Sequence, residues 1–378
     1  MTQTFVYSFG FLHLALVLLA GLICSLLILL TPSTPRLAGS PAIMRAVQAA
    51  HLKPTPRVGG LAIFGAMALG LLFLPEGALG EHMVIIIAGM LLFATGLIED
   101  LGFSVSPYKR LLAATFSGLV VILLLGIWLP VIGIPQLEWI MDYWFVAIPL
   151  TLLVTVGVAN GFNLIDGVNG LAAFTAIAAA VAMALISIQA GYFGPLGVTT
   201  LLLACVFGFL VFNYPFGKIF LGDAGAYSLG FVISWLAITI LVNAPQVTPW
   251  AIFLTVFWPV MDLSLAIYRR QAKKSGKMMP DRLHVHQLVM RSLEIYVLGR
   301  NRRRIANPLT TLVLAPFVIA PAAAGVLFWD QQLLAFYATV IFTMLVVGTY
   351  FLSFRRLKQM ERKSRGQRKS RGKRKILA

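Results

Sequence analysis

Basic residues come and go along this chain from one polar segment to the next, and that alternation restricts its fold more than any other feature. Eleven apolar runs, at about 5–30, 60–74, 83–98, 111–130, 143–159, 171–190, 195–212, 226–242, 249–267, 309–328 and 332–353, divide the polar segments. Residues 31–59 hold four Lys/Arg, 99–110 two, 213–225 one, 268–308 eleven and the tail after 353 twelve, together all 30 in the chain. The opposite connections, at 75–82, 131–142, 191–194, 243–248 and 329–331, hold none and carry Glu76, Glu81, Glu138, Asp142 and Asp330 instead. Cytoplasmic loops of membrane proteins are enriched in Lys and Arg, and a span miscounted by one would place basic loops on both sides.

The runs have the length, about 17 to 25 residues, that a helix needs to cross ~30 Å of hydrocarbon. They are continuous rather than alternating, which argues against a barrel. A mean hydropathy of +0.89 with 11% charged residues is also far more apolar than a soluble chain needs. The expectation is an all-α polytopic integral membrane protein of about eleven transmembrane helices, N-terminus outside and C-terminus cytoplasmic, in the inner (cytoplasmic) membrane. Residues 1–353 form one transmembrane domain with cytoplasmic loops at about 31–59, 99–110, 160–170, 213–225 and 268–308, and 354–378 form a basic, disordered tail. The first run has no basic n-region and is too long for a cleavable signal peptide. Cys24 and Cys205 fall inside apolar runs and read as small hydrophobes.

A net charge of +17 raises the question of nucleic acid. Twelve of the cations sit in the tail, as in ERKSRGQRKSRGKRK (361–375), with no aromatic side chain to stack on a base. Such a segment suits anionic membrane lipids, at about 1 kcal/mol per charge near the surface. No nucleic-acid partner is expected.

Every polar cluster that interrupts the apolar pattern falls at a basic-side end: KPTPRVGG (53–60), GLIEDLGFSVSPYKR (96–110), NGFNLIDGVNGL (160–171), FNYPFGKIFLGDAGAYSLG (212–230), WPVMDLSLAIYRR (258–270) and PDRLHVH (280–286). This asymmetry points to one site on the cytoplasmic face. Asp223 stands between Gly222 and Gly225, where small neighbours admit a ligand or cation; carboxylates with amide oxygens and water suit Mg²⁺, with Mn²⁺ as the alternative. A plain helix cap explains Asp223 equally well. Asn163, Asp166 and Asn169 are three apart, so a helical turn would carry them on one side, and a polar turn bonding its own backbone accounts for one or two of them. Glu99 and Asp100 are adjacent like charges at a helix end, which repel unless a cation or proton chemistry uses them. Asp262 lies inside an apolar run near its basic end, with Arg269 or Arg270 as expected partners. His284 and His286 have a spacing that can ligate a metal in a strand, but no Cys or further His accompanies them; contact with phosphate or sugar beside Arg282 fits better. Such parts suit phosphoryl transfer between a lipid and a soluble nucleotide.

As an ordered set, from about Lys53 to His286, these motifs resemble the polyprenyl-phosphate N-acetylhexosamine-1-phosphate transferase family, in particular its O-antigen-initiating branch. The resemblance implies a transfer of sugar 1-phosphate from a UDP-sugar to polyprenyl (undecaprenyl) phosphate with release of UMP. By resemblance Asp223 matches the magnesium-binding aspartate and Asn163 a second contact to the ion. Glu99 and Asp100 stand where the family has an aspartate pair near the acceptor phosphate. Lys53, Asp166 and Asn169 match the nucleoside and diphosphate pocket, and Arg282, His284 and His286 the loop that meets the sugar or its phosphates. Two departures stand out: Glu-Asp replaces the family's Asp-Asp pair, which leaves the role of Glu99 open, and HVHQ is not the triple histidine of the muramoyl-pentapeptide branch, which disfavours that branch and favours a UDP-N-acetylhexosamine. The rival readings are a transporter or lipid flippase, which lacks support from internal repeats, and a non-catalytic paralogue. Both a monomer and a homodimer are compatible with the sequence.

Overall fold

Helices form over all eleven apolar runs in the computed structural model, which describes residues 2–38, 55–73, 76–272, 284–299 and 302–353. In chain order they are α1 (Thr2–Leu30), α2 (Gly60–Leu71), α3 (Glu76–Asp100), α4 (Pro107–Leu125), α5 (Trp144–Ile165), α6 (Leu171–Gln189), α7 (Leu196–Asn213), α8 (Gly222–Asn243), α9 (Pro249–Thr255), α10 (Phe257–Ala272), α11 (Val285–Ser292), α12 (Arg303–Leu327) and α13 (Gln332–Ser353). Among the described residues there is no strand, and nine helices are long and apolar enough to cross a membrane singly.

Two of the expected spans differ in kind. Helix α2 has 12 residues, about 18 Å at 1.5 Å per residue, too short to cross alone. The chain before it is extended and pairs with the approach to α8: Phe220 donates its N–H to Pro56 O at 2.8 Å, and Gly59 N–H returns to Phe220 O at 2.8 Å. The run at 249–267 is two helices, α9 and α10, bent by 82°. Pro259 has no N–H with which to continue the ladder to Thr255, so the helix ends and restarts, with the proline tolerated in the new first turn.

Helix α8 is the centre of the bundle. In its apolar window 94% of residues are buried, against 17% in α1, which lies at the edge. A helix apolar on all sides belongs where neighbours surround it. It packs chiefly against α3 and α5, and small residues let the backbones meet. A Cβ on Gly96 of α3 would stand 2.5 Å from Ala224 Cα, and one on Gly60 of α2 would stand 2.5 Å from Gly225 Cα. Replacing Gly96 by valine should therefore push α3 off the first turn of α8, costing about 1–3 kcal/mol as overpacking does. A lowered thermal midpoint in detergent would show this, with Gly157→Ala, which meets nothing within 4 Å, as the neutral control.

Described residues of three of the acidic connections, 131–142, 243–248 and 329–331, meet at one end of the bundle. There Glu138 accepts from Ile132 N–H and Gly133 N–H, Trp250 and Gln332 both donate to Gly133 O, and Thr248 N–H bonds Trp329 O. Trp139, Tyr143, Trp144 and Phe145 pack on one another near this end, an aromatic group of the kind found at membrane interfaces. The polar clusters meet at the other end. Helix α13 closes the bundle on α9 and α10 through Trp250–Phe336 (5.1 Å) and Phe257–Phe342 (6.1 Å).

Candidate active site

The site grows from the start of α8. Its first N–H groups have no partner within the helix and carry the positive end of the helix dipole. Carboxylates from two other elements satisfy them. Asp100, the last residue of α3, accepts from Asp223 N–H on Oδ1 and Ala224 N–H on Oδ2, both at 2.8 Å. Asp166, which ends α5, accepts from Gly222 N–H at 3.1 Å. Gly222 sits at φ +77°, where a Cβ would also run into Arg57 O, so only glycine makes this turn without strain. The cap expected of Asp223 is thus supplied by Asp100 and Asp166, and the Asp223 side chain is released for other partners.

Asp223 takes Arg110 Nη1 on Oδ2 at 2.8 Å and the Asn163 amide on Oδ1 at 2.9 Å, with Arg57 Nη2 at 3.7 Å. Arg110 also donates to Glu99 Oε1 at 3.1 Å and lies 5.9 Å over the Tyr227 ring. The other Glu99 oxygen, Oε2, is buried and has no hydrogen-bond partner. Four carboxylates (Glu99, Asp100, Asp166, Asp223) therefore face two guanidiniums, Arg57 and Arg110, a formal excess of two negative charges. Burial pushes the Asp166 carboxyl up to about 7, with nearby Asp223 adding to the rise and Arg57 opposing it. A carboxyl raised in this way favours the fold while protonated, and that contribution is lost as pH rises through 7.

Asn169 is placed differently from its neighbours. Helix α5 runs on to Ile165, so Asn163 is helical while Asn169 lies in the turn beyond. Its N–H bonds Asn307 Oδ1 (2.8 Å), its amide donates to Pro215 O (2.8 Å), and its carbonyl accepts from Thr311 Oγ1 (2.6 Å). Asn213 joins this stitching through Gly170 N–H and Ile219 O. The expected side-by-side arrangement of Asn163, Asp166 and Asn169 is thus corrected: the first two reach the carboxylate cluster, and the third ties the turn to α12 and the 213–221 loop.

Asp262 forms a second cluster. Its partners are His286 Nδ1 (2.8 Å) and Val285 N–H (3.0 Å), whereas Arg269 turns to His284 Nδ1 at 3.4 Å and Arg270 is exposed. The ion pair expected within the helix is replaced because α11 begins directly over Asp262. His286 lies beside the turn that follows Asp166: a Cβ built on Gly167 would stand 3.4 Å from His286 Nε2. Lys53, Arg282 and the tail at 354–378 lie outside the described residues. Arg57, Arg110, Asn213 and Asn307 were not singled out as functional from sequence. Arg57, Arg110 and Asn213 have a signal, since each lies within a quoted polar cluster; Asn307 has none.

A family model described as glycosyl transferase family 4 matches residues 82–241, which hold Glu99, Asp100, Asn163, Asp166 and Asp223. The Bacillus subtilis (strain 168) protein named "Probable undecaprenyl-phosphate N-acetylglucosaminyl 1-phosphate transferase" is 30% identical over 243 residues, 64% of this chain and 67% of the relative. A decaprenyl-phosphate N-acetylglucosaminephosphotransferase of Mycobacterium tuberculosis (strain ATCC 25618 / H37Rv) is 27% identical over 316 residues, 75% of this chain and 74% of the relative. An undecaprenyl-phosphate alpha-N-acetylglucosaminyl 1-phosphate transferase of Escherichia coli (strain K12) is 26% identical over 251 residues, 64% of this chain and 67% of the relative.

Proposed function

The chain belongs to glycosyl transferase family 4, and from that footing we propose that it transfers an N-acetylhexosamine 1-phosphate, N-acetylglucosamine 1-phosphate in the first instance, from a UDP-sugar to a polyprenyl phosphate. An oxygen of the lipid phosphate forms a bond to the β-phosphorus of the donor. The bond from that phosphorus to the bridging oxygen breaks, and UMP leaves with the electron pair. A polyprenyl-diphospho-sugar stays in the membrane. One phosphoanhydride replaces another, so the step is near balance in both directions.

The observation that carries this reading is the convergence of four carboxylates and two guanidiniums at one end of the bundle, with two negative charges in excess and the buried Glu99 Oε2 unpartnered. That donor set fits one divalent cation. Among the described residues no three acidic, cysteine or histidine side chains form a metal cage; Mg²⁺ usually keeps several waters and shares substrate phosphates. Asp223, Glu99 and the carbonyl end of the Asn163 amide would hold Mg²⁺ or Mn²⁺, which when bound neutralises charge on the diphosphate and on departing UMP. Arg57 and Arg110 supply guanidinium donors for phosphate oxygens. Asp100 and Asp166 hold the first turn of α8, and with it Asp223, in place. The acceptor phosphate, with a second pKa near 6, is largely dianionic at neutral pH and needs little help from a base.

The enrichment of Lys and Arg in the loops at this end supports a cytoplasmic face of the inner membrane, where UDP-sugars are available, and the basic tail suits anionic headgroups. The product would start a lipid-linked cell-envelope glycan such as O-antigen. Purified protein in detergent should release UMP from UDP-N-acetylglucosamine only when both undecaprenyl phosphate and Mg²⁺ are present. Release without the lipid, or none from a panel of UDP-N-acetylhexosamines by folded protein, would overturn the proposal.

A further inference from the structure

Asp262 is 1% exposed and sits just past the bend between α9 and α10. Its Oδ1 accepts from Val285 N–H at 3.0 Å and its Oδ2 faces His286 Nδ1 at 2.8 Å. His284 Nδ1 lies 3.9 Å from Oδ1, and Arg269 Nη2 meets that same nitrogen at 3.4 Å. A carboxylate only accepts, so the proton between Asp262 and His286 belongs on Nδ1. The second ring nitrogen, Nε2, is then left over. It is buried in a residue 1% exposed and has no hydrogen-bond partner. An unpaired buried polar atom costs about 1–3 kcal/mol, a cost that a ligand group bonded to Nε2 would remove.

What covers Nε2 is Gly167. A Cβ built there would lie 3.4 Å from Nε2, yet Gly167 itself is exposed, in the turn that follows Asp166. A molecule seated on that turn therefore reaches the imidazole past a residue with no side chain. Gly167 does not have a positive φ, so the backbone does not demand glycine here. The small residue is explained by access, not by conformation.

We propose that Asp262 is a positioning residue: it holds His286 with Nδ1 protonated, so that Nε2, beneath Gly167, is presented to a hydroxyl or amide N–H on the sugar of the nucleotide donor. This rests on the transferase reading for the identity of the donor, but the carboxylate–imidazole pair does not. Because Val285 N–H fixes the oxygen of any side chain at 262, Asp262→Asn would turn its amide NH₂ toward Nδ1. The imidazole would then have to accept there and carry its proton on Nε2. The partners that orient metal-bound histidines typically contribute 10- to 100-fold, and an effect at the lower end of that range is expected for a histidine that meets a neutral sugar group.

The test uses the full chain in detergent with ¹⁵N-labelled histidine, His286→Gln serving to assign the signal. The wild type should show Nδ1 protonated, and Asp262→Asn should move the proton to Nε2. In kinetics Asp262→Asn should raise KM for the UDP-sugar by about tenfold or more, with KM for the lipid phosphate unchanged. Gly167→Ala, which lays a methyl group over Nε2, should raise the same KM while leaving the proton on Nδ1. An unprotonated Nδ1 in the wild type, or an unchanged donor KM in Gly167→Ala, would overturn the proposal, and the second criterion stands even if Asp262→Asn does not fold. Should the wild type transfer no sugar phosphate at all, the transferase reading fails by itself. The protonation state would then still decide the pairing: a proton on Nδ1 sustains it and a bare Nδ1 ends it.

Discussion

Replacing Asp223 with alanine is expected to lower UMP release on the order of a thousandfold while leaving the helix bundle intact, the size of effect seen when a group that stabilises developing charge is removed. That factor corresponds to about 4 kcal/mol of transition-state stabilisation. The loss should be nearly pure in activity because the Asp223 side chain does not hold α8. Its backbone N–H bonds Asp100, and the carboxylate is committed to Arg110, Asn163 and Arg57. Alanine keeps the N–H and removes the anion. The thermal midpoint should stay within a few degrees of wild type, and titration with Mg²⁺ should no longer raise it. An Asp223→Ala protein retaining more than a tenth of wild-type turnover would remove this residue from the chemistry.

Asp100→Asn should act through the fold instead. The Asp100 carboxylate, 2% exposed, uses one oxygen for Asp223 N–H and the other for Ala224 N–H. An asparagine offers only one oxygen, and its NH₂ would face the second N–H. One buried donor is left unpaired at a cost of about 1–3 kcal/mol, and the first turn of α8 shifts with Asp223 on it. The expected result is a lower thermal midpoint together with a roughly hundredfold loss of transfer, of the same size from pH 6 to pH 9. A general base at this position predicts something else: an unchanged midpoint and a loss that varies across that range with the ionisation of the acceptor. Measuring both quantities on one preparation separates the two roles.

Much of the architecture was legible because lipid imposes simple rules. Each run long enough to span formed a helix. Where the reading slipped, a local break intervened. Pro259 split one run into α9 and α10, and the run at 60–74 formed a helix of only 12 residues, α2. The site was legible as a set of residue types and not as a set of partners. Glu99, Asp100, Asp166 and Asp223 were all marked in advance, since carboxylates beside glycine in an apolar chain stand out. Which of them cap a helix and which face outward was not, because a cap joins residues more than fifty positions apart. Asp262 shows the same limit. Sequence proximity suggested Arg269, while the partner chosen was His286, brought over it by the start of α11.

The sequence by itself determined the solvent, the helical class, the number of apolar segments and which polar clusters interrupt them. Hydropathy and charge act residue by residue and need no knowledge of neighbours. Tertiary structure alone decided that α8 is central, that Asp100 and Asp166 secure its first turn, that Asp223 is thereby left to Arg110 and Asn163, and that a turn glycine covers a histidine nitrogen. Those are properties of close packing, set by where Gly60 and Gly96 let backbones meet, and no period or composition along one chain encodes them.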